Sequence, residues 1–182
     1  IPTVSFRGRP INLTAPIQEL PVDTAFAKFA TERIGVDAAV AEGQFEQTLA
    51  DEIEAHLGWD KPCALTRYPA ALAALARLCP DDPNRAERWE LYLGGMEIAN
   101  AFTELTDPAE QRARFEATAE LRRRNGREVY PVDEPFLESL EAGLPPCAGI
   151  ALGLDRLLMV LLDAPDIQTV LPFATPSLPK QR

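Results

Sequence analysis

Histidine is almost absent from this sequence: His56 stands alone among 182 residues. With one imidazole and no His–Glu cluster, hydrolase triads and imidazole metal centres are disfavoured. Cysteine is scarce as well. Cys63, Cys79 and Cys147 are odd in number and widely spaced, so neither a disulfide framework nor a zinc site is suggested. A reduced, cytoplasmic protein is the expectation. Long apolar runs are missing too. The most hydrophobic stretch, GIALGLDRLLMVLL, is interrupted by Asp155 and Arg156, so no membrane partner is expected. The opening IPTVSFRGRP lacks the basic start and apolar run of a signal peptide. Positive charge is in the minority, with 18 Lys and Arg against 28 Asp and Glu and a net charge of −10. That balance argues against non-specific nucleic-acid binding and suits a cationic ligand. No G-x-G-x-x-G follows a strand, so a dinucleotide-binding domain is not expected.

What is present suffices for one domain over residues 1–182, with 46% hydrophobic residues and a loose tail over 174–182. TVSF and INL read as short strands around the turn RGRP. DTAFAKFATERIG reads as a helix capped by Asp23 and ended by Gly35. In FEQTLADEIEAHLG, Phe45, Leu49, Ile53 and Leu57 recur at i, i+4, which predicts one amphipathic helix closed by Gly58. His56 lies in it, where a surface or boundary role is favoured over a catalytic one. PCALTRYP reads as a strand, AALAALARL as a short helix or turn, and CPDDPNR as a loop. ERWELYLGGMEIANAFTEL reads as strand broken near Gly94–Gly95. Asp107, Pro108 and Glu110 then open a helix that runs to Gly126. DEPFLESLEAG reads as another helix, CAGIALG as a buried strand and LDRLLMVLLD as a buried helix. Antiparallel strands flanked by helices, without a βαβ rhythm, give an α+β class.

Two stretches carry chemistry. In GGMEIANAFTELTDP, alternation places Met96, Ile98, Asn100, Phe102 and Glu104 on one strand face. A half-buried strand with polar ends is the commoner arrangement, but it leaves Asn100 and Glu104 on an apolar face unexplained. A carboxylate buried there needs a partner, and a cationic ligand would supply one. In GIALGLDRLL, Arg156 falls in the first turn of a helix among apolar residues. It calls either for an anion, such as phosphate, or for a salt bridge to Asp155 or another acid.

With these residues in view, the sequence resembles the C-terminal half of the catalytic domain of class II lysyl-tRNA synthetases and their paralogues. The resemblance rests on AERWE, GMEIANAFTELTDPAEQ, GLPPCAGIALGLDRLLM and IQTVLPFA, in that order. Gly153, Leu154, Asp155 and Arg156 look like class II motif 3. The resemblance implies ATP and magnesium as cofactors. Arg156 would contact the ATP phosphates, in a nucleotide site that includes Gly153 and Asp155. Glu90 and Glu97 would hold magnesium, and Asn100 would bind the amino-acid backbone region or a nearby ATP group. Phe102 would wall the side-chain pocket and Glu104 would pair with the lysine ammonium. Strict alternation sets Glu97 on the face opposite Asn100 and Glu104, so a twist or bulge, or action from the other side, is implied. Cys147 and Ala151 lean toward the paralogous ligases that transfer (R)-β-lysine to a lysine of elongation factor P. The alternatives are a fragment of a tRNA(Lys)-charging synthetase and a catalytically inactive interaction module. Motifs 1 and 2 are not found, so the chain is expected to be the motif 3 half of a domain that dimerises when complete. It is expected to form adenylate poorly alone and to self-associate through an exposed sheet edge.

Overall fold

A computed structural model describes residues 2–31 and 34–174. The carboxyl-terminal tail beyond residue 174 lies outside the described residues. Among the described residues are eight strands: β1 (Thr3–Phe6), β2 (Arg9–Asn12), β3 (Gln18–Pro21), β4 (Cys63–Pro69), β5 (Leu78–Cys79), β6 (Asp82–Leu93), β7 (Met96–Thr103) and β8 (Ala148–Leu152). Six α-helices accompany them: α1 (Val22–Phe29), α2 (Val36–Ala41), α3 (Phe45–Thr48), α4 (Pro108–Arg124), α5 (Glu134–Glu141) and α6 (Leu154–Leu162). β1 and β2 form an antiparallel pair around Arg7–Gly8, as the sequence suggests. The main sheet has the order β3-β4-β6-β7-β8, with β5 on β6. β3 and β4 run parallel, an arrangement the sequence reading did not contain. The class is α+β, as expected.

The chain divides into two compact units. One holds Ile1–Thr66, Trp89–Asn100 and Ala151–Arg182; the other holds Arg67–Arg88 and Ala101–Ile150. In the first, Val4, Phe6, Ile11, Leu93, Ile98 and Val160 form a core cluster that Trp59, Met96 and Leu157 flank. Each large side chain buried there contributes about 1.5–3 kcal/mol. In the second, Ala73, Ala76 and Ala86 form a smaller cluster that receives Leu78 and Phe102.

β6 and β7 join through Gly94 and Gly95, with φ of 58° and 74°. Two successive positive φ values make the two-residue turn that matches the twist of an antiparallel hairpin. The tip is held from outside: Gly94 N–H donates to the Gly58 carbonyl and Gly95 N–H to that of Leu57, each at 2.8 Å. A Cβ on Gly94 would meet Phe6 Cδ1 at 2.5 Å, and one on Gly58 would meet the Tyr92 carbonyl oxygen at 2.3 Å. Sharp turn and close packing together require glycine here.

Several local expectations are corrected. Asp23 does not cap α1; Pro21 occupies that position without a side-chain bond, and Asp23 sits in the first turn. α1 ends at Phe29, before Gly35, and Gly35 instead precedes α2. Residues 45–57 keep the expected buried face, Phe45, Leu49, Ile53 and Leu57, but not one regular helix. α3 passes into a π turn over Leu49–Ile53 and a tight 3-10 turn over Glu54–His56. Only Pro80 and Asp81 of CPDDPNR are loop, because β6 begins at Asp82. Asp107 caps α4 as expected, its carboxylate accepting from Ala109 and Glu110 N–H. β8 and α6 are not fully buried: Ile150, Leu152, Leu154, Leu158 and Leu162 are exposed, while Met159 and Val160 are buried. Their apolar content predicts burial, but no described residue covers those side chains.

Gly43 and Gly58 share nearly the same φ, 70° and 72°, but only Gly58 lies against other backbone. Gly43→Ala is expected to cost about 1 kcal/mol of strain. Gly58→Ala is expected to cost at least about 2 kcal/mol more, from the added clash. Urea denaturation of both variants checks this; equal losses would contradict the packing role of Gly58.

Candidate active site

The site is built on the β6–β7 hairpin and the β8–α6 junction. In the first unit, Gly153 N–H donates to the Ile98 carbonyl at 2.8 Å, which ties the start of α6 to β7. Gly153 precedes the first helical residue and gives no side-chain cap. The first-turn amides of α6 are therefore open to an anion. Leu157 and Val160 pack inward on the core cluster, and this anchors the turn that carries Asp155 and Arg156.

These elements enclose a cavity of about 350 Å³. Glu97, Asn100, Ala151, Gly153, Asp155 and Arg156 all line it. Four successive residues of β7, from Glu97 to Asn100, border it; Ile98 and Ala99 are buried, and Glu97 and Asn100 are half-buried.

Arg156 has an acidic partner, but not Asp155. Its Nη1 donates to the Glu97 carbonyl at 3.0 Å and to Glu97 Oε2 at 3.2 Å. The Arg156 side chain is 50% exposed, so this pair contributes little to stability and is readily exchanged. Glu90 is buried and lies on the neighbouring strand. Its Oε1 accepts from Asn100 Nδ2 at 2.8 Å and its Oε2 from the Tyr92 hydroxyl at 2.9 Å. Both bonds come from neutral donors and fix the orientation of the Glu90 carboxylate.

Glu54 was missed from the sequence, where it reads as one more acid on a helix. Its Oε1 lies 3.3 Å from the Tyr92 hydroxyl. Burial raises the Glu54 pKa, the Tyr92 hydrogen bond opposes this, and Glu90 and Glu97 add to the rise. Burial and the Glu90 and Glu54 carboxylates push the Tyr92 hydroxyl far above its ordinary value, so it stays protonated. No local signal marks it: the i, i+4 pattern puts Glu54 on a regular helix, and its contact with Tyr92 is tertiary.

Phe102 and Glu104 belong to the second unit. Phe102 packs on the Ala73, Ala76 and Ala86 cluster. The Glu104 main chain bridges Ala76, and its N–H donates to the Cys147 carbonyl at 3.0 Å. Its carboxylate meets no hydrogen-bond donor or cation among the described residues. A separate cavity of about 200 Å³, lined by Phe115, Thr118, Tyr130 and Val132 among others, gathers none of the expected site residues.

Residues 4–177 match the family model of class II tRNA synthetases for aspartate, lysine and asparagine. The chain belongs to this family. It is 47% identical over 122 residues to an elongation factor P–(R)-β-lysine ligase of Avibacterium paragallinarum, which covers 67% of this chain and 38% of that protein. It is 40% identical over 163 residues to the ligase of the same name from Pectobacterium carotovorum, covering 87% and 50%. A lysine–tRNA ligase of Gloeobacter violaceus is 42% identical over 147 residues, covering 79% and 29%. The chain thus spans half the length or less of these curated relatives. As in the sequence reading, no helix among the described residues is long and apolar enough to cross a membrane. Cys63, Cys79 and Cys147 are free thiols.

The raised pKa of Glu54 gives a pH test. The folded form holds this proton more tightly than the unfolded form, so stability falls as pH rises above 4.5, the usual glutamate value, and levels off above the folded-state pKa. Glu54→Gln removes that loss. Its stability relative to wild type is expected to be flat below pH ~4 and to grow as pH passes through the window above. Denaturant melts at several pH values check this; a pH-independent difference would contradict it.

Proposed function

We propose that this chain is the motif 3 half of one class II catalytic domain. The domain activates lysine or (R)-β-lysine with ATP and transfers the aminoacyl group to a lysine of elongation factor P. The observation that carries the reading is the cavity where Arg156, Glu97 and Asn100 meet at the open start of α6. The names of the Avibacterium and Pectobacterium relatives support the acceptor.

In activation, a substrate carboxylate oxygen attacks the ATP α-phosphorus and pyrophosphate leaves. An acceptor amine then attacks the carbonyl carbon of the mixed anhydride and AMP leaves. No protein nucleophile is required. Arg156 turns from Glu97 to the polyphosphate, because a doubly charged oxyanion outcompetes one exposed carboxylate for the guanidinium. Gly153 and Asp155 shape the same nucleotide site.

Among the described residues, no group of three or more His, Cys, Asp or Glu side chains is gathered to hold a metal. Magnesium does not need one, since it uses one or two carboxylates together with substrate phosphates and water. Glu97, once released by Arg156, and the oriented Glu90 fit that requirement. Bound magnesium supplies neutralisation of phosphate charge. Asn100 positions the reacting end of the amino acid beside Ala151. Phe102 walls the side-chain pocket, and Glu104 pairs with the side-chain ammonium of lysine or the corresponding group of (R)-β-lysine. The complete protein works as a cytoplasmic homodimer.

Amino-acid-dependent ATP–pyrophosphate exchange by the full-length protein tests activation. Arg156→Ala is expected to lower kcat/KM at least about 100-fold. Glu104→Gln is expected to raise the amino-acid KM while leaving the ATP KM unchanged. Exchange that is insensitive to both variants would sink the assignment. Transfer of labelled (R)-β-lysine to elongation factor P, against transfer of lysine to tRNA(Lys), separates the two acceptors. Transfer to tRNA alone would favour the function named for the Gloeobacter relative.

A further inference from the structure

Gly149 lacks a side chain for a reason its backbone does not supply. Its φ lies outside the left-handed region, so any residue could adopt its conformation. A Cβ there would instead meet Glu104 Oε1 at 2.5 Å, with Glu104 Cδ next at 3.7 Å and no further neighbour within 4 Å beyond the adjoining residues. The space over the Gly149 α-carbon is thus filled by one carboxylate. That carboxylate is held by its own main chain. Glu104 N–H donates to the Cys147 carbonyl at 3.0 Å, and Leu105 N–H donates to the Leu75 carbonyl at 2.8 Å. The backbone is fixed on both sides and the side chain alone can move. No described cation or donor engages the carboxylate, and its Oε1 lies where a Gly149 side chain would begin.

We infer that Gly149 is a positioning residue for the cationic end of the substrate: its missing side chain leaves the seat occupied by the Glu104 carboxylate. The inference rests on the reading that Glu104 pairs with a substrate ammonium. An alanine methyl at 149 would touch the tip of a flexible side chain and nothing else. Glu104 swings aside by rotation about its own bonds, so the fold is unaffected while the ion pair is lost. A charge-assisted hydrogen bond holds only within a few tenths of an ångström of its optimum. A seat moved by about the 1 Å needed to clear a methyl group forfeits it.

The test uses the full-length protein with lysine and with (R)-β-lysine. Dissociation constants come from calorimetry, KM values from pyrophosphate exchange, and stability from thermal unfolding. Gly149→Ala is expected to weaken amino-acid binding by about ten- to a hundredfold, leaving the ATP KM and the melting temperature unchanged. In a Glu104→Ala background, Gly149→Ala is expected to have no further effect, since the group it displaces is gone. If Gly149→Ala binds like wild type while Glu104→Gln does not, the inference fails and the Glu104 reading stands. An effect of Gly149→Ala that persists in the Glu104→Ala background also overturns the inference. If Glu104→Gln itself binds normally, the underlying reading fails and takes the inference with it.

Discussion

The turn at Gly94–Gly95 is clamped between the Gly58 loop and the Phe6 ring. Two positive φ values allow the chain to reverse in two residues. A two-residue reversal fixes which residue of β6 faces which residue of β7, because a slip by one would turn every side chain to the other face. On the strands that leave the turn, the Glu90 carboxylate accepts from the Asn100 amide and Glu97 accepts from the Arg156 guanidinium at the start of α6. The same strand continues through Phe102 to Thr103, and Glu104 follows it. Much of the candidate chemistry therefore depends on one short turn that contains none of the reactive groups.

The second organising feature is the way acidic groups are satisfied. Glu90 is buried and accepts from an amide and a phenol. Glu54 leans on the same phenol. Glu104 has no described partner. Arg156 pairs with Glu97 from a half-exposed position where it is free to turn away. An arginine held this loosely can exchange its carboxylate for the phosphates of a bound nucleotide.

Much of this was legible in the sequence because local chemistry agrees with the tertiary outcome. Asp107 with Pro108 announces α4, the paired glycines announce the hairpin, and the Gly-Leu-Asp-Arg run announces the strand-to-helix junction. Other features follow from packing that no local pattern encodes. The i, i+4 apolar face of residues 45–57 is real, but a π turn and a 3-10 turn replace its regular helix. The parallel pairing of β3 with β4 joins segments some forty residues apart. β8 and α6 read as buried because they are apolar, yet several of their side chains are exposed. Glu54 and Gly149 were invisible for a related reason. The role of one depends on the Tyr92 hydroxyl, and that of the other on where the Glu104 carboxylate falls.

The central claim is that the mixed polarity of β7 exists to hold a cationic amino acid beside a nucleotide. A crystal structure of the full-length protein with a non-hydrolysable lysyl or (R)-β-lysyl adenylate analogue tests it most directly. The account predicts the ligand ammonium within about 3 Å of the Glu104 carboxylate. It also predicts Arg156 turned from Glu97 toward the phosphate oxygens. A ligand whose ammonium is held elsewhere, with Arg156 still paired to Glu97, would contradict it.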